Sequence, residues 1–151
     1  MRIALWLHLL STVVWVGGMF FAHVALRPAV ATLAPPVRLP LMSATLATFL
    51  LWAGAAVVTV IATGFMMIFA RGGFGAVGGS VHVMTVLGLV MASIYWFIMA
   101  VPFPRVRAGV AAGNWQDAGE ALGQVRRLVG VNLVLGLVTI TVAVLGHSVI
   151  G

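Results

Sequence analysis

Apolar residues run almost unbroken along this chain, and the polar ones gather at the breaks between runs. Four uncharged stretches, residues 3–26, 41–70, 81–101 and 128–150, each reach the about 20 apolar residues that a membrane-spanning helix needs. The breaks carry turn chemistry: Arg27-Pro28 through "APPVRLP", the glycine-rich "RGGFGAVGGS", and a long polar connection from Pro102 to Arg127. This pattern predicts an all-α membrane protein, a single antiparallel four-transmembrane-helix bundle over residues 1–151. The second stretch is longer than a bilayer requires and therefore tilts or protrudes. In the last connection Asn114 suits an N-cap, with Asp117 in the first turn and Arg126 and Arg127 at the end. That is the polarity a helix dipole favours, and it predicts an interfacial helix over 114–127 anchored by Trp115.

Composition agrees with the pattern and narrows the chemistry. At 63% hydrophobic and 7% charged, 151 residues hold too little polar surface to cover a water-soluble core. Zero Cys removes disulfides, iron–sulfur clusters and thiolate metal sites. The net charge of +6 comes from eight Arg against Asp117 and Glu120. In a membrane protein such an excess reports topology, and no basic patch with interleaved aromatics points to nucleic acid. Arg27, Arg38, Arg105, Arg107, Arg126 and Arg127 fall on one side of the bundle, Arg2 and Arg71 on the other. The positive-inside rule makes the six-arginine side cytoplasmic and puts both termini outward, in a multi-pass protein of a bacterial-type inner membrane. "AVA" at 29–31 resembles a signal-peptidase site. The preceding apolar run exceeds the roughly 7–15 residues of a signal h-region, however, so the first helix is read as retained. The glycine-rich loop lacks the Lys and the strand-to-helix setting of a phosphate loop and reads as a turn.

The histidines sort by depth. At 1.5 Å per residue His8 lies about 7–8 Å from the outer side, His82 opens the third helix there, and His147 closes the fourth there. His23 is about 22 Å further along the first helix and belongs to the cytoplasmic side. Each outer histidine shares a stripe at three-and-four spacing with small or polar residues: His8, Ser11, Thr12, Trp15 and Gly18; His82, Thr85 and Ala92; Asn132, Gly136, Thr139, Ala143 and His147. Polar groups in lipid are costly and turn toward the bundle interior, so these stripes are expected to converge. A lone histidine near a helix end is ordinarily an interfacial residue bonded to water or a carbonyl, and His23 is read that way. Three imidazoles in one layer point instead to a cofactor or metal site.

Two occupants suit it. Paired imidazoles from facing helices are the usual protein ligands of haem b, and a four-helix bundle has room for one macrocycle. His8 and His82 are the favoured pair, with His147 in reserve, Trp15 at the inner edge and Arg71 or Arg2 at the propionates. Such a centre implies electron transfer or a small oxidase activity with an unidentified electron donor or acceptor. Copper is the alternative, since imidazole with thioether suits Cu(I) without cysteine. Met66, Met67, Met84 and Met91 are the candidate sulfurs, although methionine is mainly a packing residue in apolar interiors. That site serves import or storage. Beyond the lipid bilayer itself, Gly18 and Ala22, a small-xxx-small pair, permit a homodimer.

"LHLLSTVVWVGGMFFAHVALRP", with His8, Trp15, Gly17 and Gly18, resembles the first helix of the copper resistance protein D superfamily. "RRLVGVNLVLGLVTITVAVLG", with Asn132, Leu135 and Gly136, resembles its last helix. A related branch is the haem-containing membrane protoporphyrinogen oxidase, whose third helix opens with histidine followed two residues later by lysine. His82 matches that histidine and Met84 stands in the lysine's place, which argues against protoporphyrinogen oxidation. The resemblance implies a four-helix membrane protein concerned with haem or copper.

Overall fold

The computed structural model describes the backbone of residues 1–149 and the side chains of residues 1–146. It is all-helical: α1 Arg2–Phe21, a π-helical turn Ala22–Leu26 running into α2 Arg27–Val30, α3 Pro35–Phe69, α4 Gly79–Ala100, α5 Pro102–Ala111 and α6 Trp115–Val149. Four helical stretches are long and apolar enough to cross a membrane, and large side chains such as Trp52, Val58, Val134 and Val144 stand exposed around them, facing lipid. The π turn precedes Pro28, which has no N–H to give and whose ring crowds the carbonyl one turn back. The Arg27 N–H reaches past that turn to the Ala22 carbonyl.

Two boundaries differ from the sequence reading. α3 begins six residues earlier than the expected 41, because Pro35 and Pro36 occupy its first two positions, where a missing N–H costs nothing. The segment expected as a separate interfacial helix over 114–127 is continuous with the fourth span, giving a helix of 35 residues. The separate short helix of this connection is instead α5, Pro102–Ala111. Gly109 lies so close to α6 that an added Cβ would meet the Ala118 Cβ and backbone N at 2.8 Å. Gly113 at φ +67° then turns the chain, and the Asp117 N–H donates to Asn114 Oδ1 at 3.2 Å to cap α6. At 1.5 Å per residue α3 and α6 each run about 52 Å, well beyond the about 30 Å hydrocarbon layer.

The protruding ends pack with α5 and α2 into a solid base at the arginine-rich end, where Val30, Leu39, Phe103, Val106, Leu122 and Val125 are buried. Through the middle, α1 packs chiefly on α3 and α4 chiefly on α6. The two pairs are joined by the Tyr95 hydroxyl, which donates to the Leu50 carbonyl at 2.9 Å in space left open by Gly54. They are also joined where Gly136 of α6 meets Val16 of α1 and Met91 of α4. Toward the outer end contact between the pairs gives out, and a cavity begins.

Candidate functional site

The cavity is lined from all four long helices and measures ≈ 160 Å³. Trp15, Val16, Met91 and Gly136 form its floor, with Trp15 and Met91 each 3% exposed. His8, Thr12, Gly64, Met67, Met84 and Thr85 stand around the wall, and the exposed Arg71, in the loop after α3, marks the mouth. Glycine keeps the wall thin. A Cβ on Gly64 would touch the His8 ring at 3.4 Å, and one on Gly88 would meet nothing within 4 Å.

His8 is half-buried, and its Nδ1 lies 2.9 Å from Thr63 Oγ1. The Thr63 hydroxyl has one proton, and at 2.6 Å from the Thr59 carbonyl it donates that proton along its own helix. This geometry favours the tautomer in which the ring donates at Nδ1, and in that tautomer Nε2 keeps its lone pair as a ligand. This is the arrangement in which a second hydrogen bond orients a metal-binding imidazole. The remaining wall hydroxyls are likewise occupied within their helices, Thr12 on the His8 carbonyl and Thr85 on the Val81 carbonyl, both at 2.8 Å. Thr139 gives its proton to the Leu135 carbonyl at 2.8 Å, so the Met91 sulfur 4.0 Å away keeps its lone pairs. Among the described residues the donors lining the cavity therefore include one imidazole nitrogen and three thioethers.

The residues singled out in the sequence are distributed as follows. His8, Trp15, Arg71, Met67, Met84 and Met91 line the cavity. His82 does not: it is exposed, its Nδ1 sits 3.1 Å from the Gly78 carbonyl, and its ring rests on Phe74 with centroids 5.7 Å apart. Met66 is 52% exposed on the outside of α3. His147 lies on α6, and its side chain is outside the described residues. His23 is at the opposite, arginine-rich end, against Gly130. His82 is thus not among the residues that line the cavity of His8.

Among the described residues no group of three or more His, Cys, Asp or Glu converges. The donor set is one for a soft ion. Thr63 and Gly64 were missed in the sequence, although depth counting finds them. Thr63 lies six residues before the end of α3, about 9 Å from the outer end, level with His8.

The family model described as copper resistance protein D matches residues 43–145. The chain belongs to the copper resistance protein D family. The matched segment carries Gly64, Met67, Arg71, Met84, Met91 and Thr139 of the cavity and Thr63 behind His8, while His8 and Trp15 precede it. No curated protein and no solved structure matches the chain. This copper resistance protein D family member is a multi-pass membrane protein, and the description of its family names copper resistance.

Proposed function

We propose that this protein passes Cu(I) through the outer half of the membrane, with the ion as cargo in the His8 cavity. The observation that carries the reading is the donor set: the His8 imidazole, held at Nδ1 by Thr63, lines one cavity with Met67 and Met84, and no carboxylate lines it among the described residues. Imidazole and thioether are ligands for Cu(I), whereas Zn, Mg and Ca call for further nitrogen, thiolate or oxygen donors. Thioethers also carry no proton and form no disulfide, so such a site survives in an oxidising compartment.

Met84 and Met91 are seven residues apart, about 10.5 Å along α4. They serve successive positions, His8 with Met67 and Met84 near the mouth and Met91 at the floor. An all-neutral donor set leaves the charge of the ion uncompensated in an apolar surrounding, which is costly. Import or hand-on therefore suits the site better than storage. Arg71 at the mouth disfavours a bare cation and favours delivery by an anionic carrier, which its guanidinium can pair with.

The test is Cu(I) titration of the purified protein under reducing conditions against a coloured Cu(I) chelator, with Ag(I) as a redox-inert substitute. His8→Ala should lose most of the binding and Met66→Leu, outside the cavity, none of it. A b-type haem spectrum in protein from a haem-replete host, abolished by His8→Ala, would overturn the copper reading.

A further inference from the structure

At the opposite end of the bundle a second recess of ≈ 290 Å³ is lined by His23, Arg27, Gly123, Arg126, Arg127 and Gly130. Its two walls have separate origins. His23 and Arg27 are one turn apart on the π-helical segment and the start of α2. The other four fall on one face of α6 at the spacing of three and four. Gly130 is the contact between them: a Cβ there would meet the His23 ring at 3.1 Å. Arg38, at the start of α3, joins from the side, and its charge and that of Arg27 both act on Arg126.

Topology alone explains why arginines are on this side of the membrane, but it does not explain this placement. Arginines that only mark the cytoplasmic face are free to spread into water. These converge on one recess, where they repel one another, and the Nε atoms of Arg38 and Arg126 are buried without an acceptor. Such a group is costly unless something accepts from the guanidinium and offsets the charge. Arg38 Nη1 reaches the Ala31 carbonyl at 3.4 Å, but no carboxylate offsets the charge: among the described residues the single ion pair is Arg105 with Asp117 at 2.8 Å, elsewhere on this face.

We infer that this recess binds a phosphate group, supplied by an anionic phospholipid of the cytoplasmic leaflet or by soluble phosphate. Three guanidiniums and an imidazole present planar, forked donors matched to phosphate oxygens, and basic recesses between transmembrane helices on the cytoplasmic side are a recurring way to hold lipid head groups. The recess lies between α1's extension and α6 at the edge of the solid base, so a lipid seated there ties the first span to the fourth. The inference is independent of the copper reading, since no residue is shared between the two sites.

The experiment is lipid binding to the full chain in detergent, read by native mass spectrometry. Phosphatidylglycerol is compared with phosphatidylcholine, followed by competition with inorganic phosphate. Phosphatidylglycerol should bind at least about ten-fold more tightly, since one hydrogen bond to a charged group is worth that factor. Arg27→Gln and Arg126→Gln should each remove most of the preference, and Arg107→Gln, on the same face but outside the recess, should leave it intact. Displacement of the lipid by millimolar inorganic phosphate supports the site with soluble phosphate as an occupant; resistance to it supports the lipid. Equal binding of the two lipids by the wild type, or an equal loss in Arg107→Gln, overturns the inference.

Discussion

The hydroxyl of Thr63 and the ring of His8, joined at 2.9 Å across α3 and α1, favour the imidazole tautomer with its proton at Nδ1. Neither residue alone specifies a ligand. Without Thr63 the ring is free to turn or to protonate at Nε2, and without His8 the threonine is one of several that bond back to their own helix.

Thr63→Val keeps the shape of α3 and removes the acceptor. Loss of such an outer partner typically costs about 10–100-fold in metal affinity. Cu(I) affinity should fall by that factor while the midpoint of thermal unfolding moves little, since Thr63 is already bonded within α3. Titration against a chelator of known affinity measures the first, and a melting curve the second. An unchanged affinity would remove Thr63 from the site.

Gly88 lines the cavity with no neighbour within 4 Å of where a Cβ would stand. Gly88→Leu should therefore fill the cavity without strain, abolishing Cu(I) and Ag(I) binding while folding improves slightly, because glycine in a helix interior costs about 1 kcal/mol relative to alanine. Binding that persists in this variant would place the ion elsewhere.

Met84→Leu and Met91→Leu conserve volume, at a cost below about 1.5 kcal/mol, and separate two positions in the cavity. The first should lower equilibrium Cu(I) affinity at the His8 level. The second should leave that affinity nearly unchanged and slow copper accumulation in cells. Identical effects on both readouts would mean one shared site.

Tyr95→Phe removes the hydrogen bond to the Leu50 carbonyl that joins the two helix pairs below the cavity. About 0.5–1.5 kcal/mol of stability should be lost. Asp117→Asn breaks an ion pair whose side chains are 49% and 41% exposed, and so should cost under about 1 kcal/mol. Denaturation in a fixed detergent measures both losses, and a loss well above about 1 kcal/mol for Asp117→Asn would contradict the exposed placement of its ion pair.

Much of the fold could be read from the apolar runs because a bilayer sets helix length so firmly. The breaks at Arg27-Pro28 and in the glycine-rich loop show as plainly. The start of α3 was harder to read, since Pro35, Pro36 and Pro40 look like a barrier when at the first turn two of them are harmless. The continuity of α6 was obscured by the polar surface of its first three turns, which lies outside the hydrocarbon layer but inside the same helix. Depth arithmetic brought His8 to the right level and grouped it with His82. It has no access to rotation about the helix axis, and rotation is what leaves His82 on Phe74 rather than in the cavity. Met84, two residues on, lines the cavity instead.

The π turn at Ala22–Leu26 is in effect a one-residue insertion in the helical phase, worth about 100° of rotation for everything that follows. Arg27 owes its bearing toward His23 and α6 to that offset. Deleting a single residue between Ala22 and Leu26 would restore ordinary phase and swing Arg27 about a quarter turn away, leaving the first span intact. Composition and hydropathy would barely register the change. The polar end of the helix would then face a different neighbour, so one peptide unit sets which surfaces the arginine-rich ends of the first and fourth spans turn toward each other.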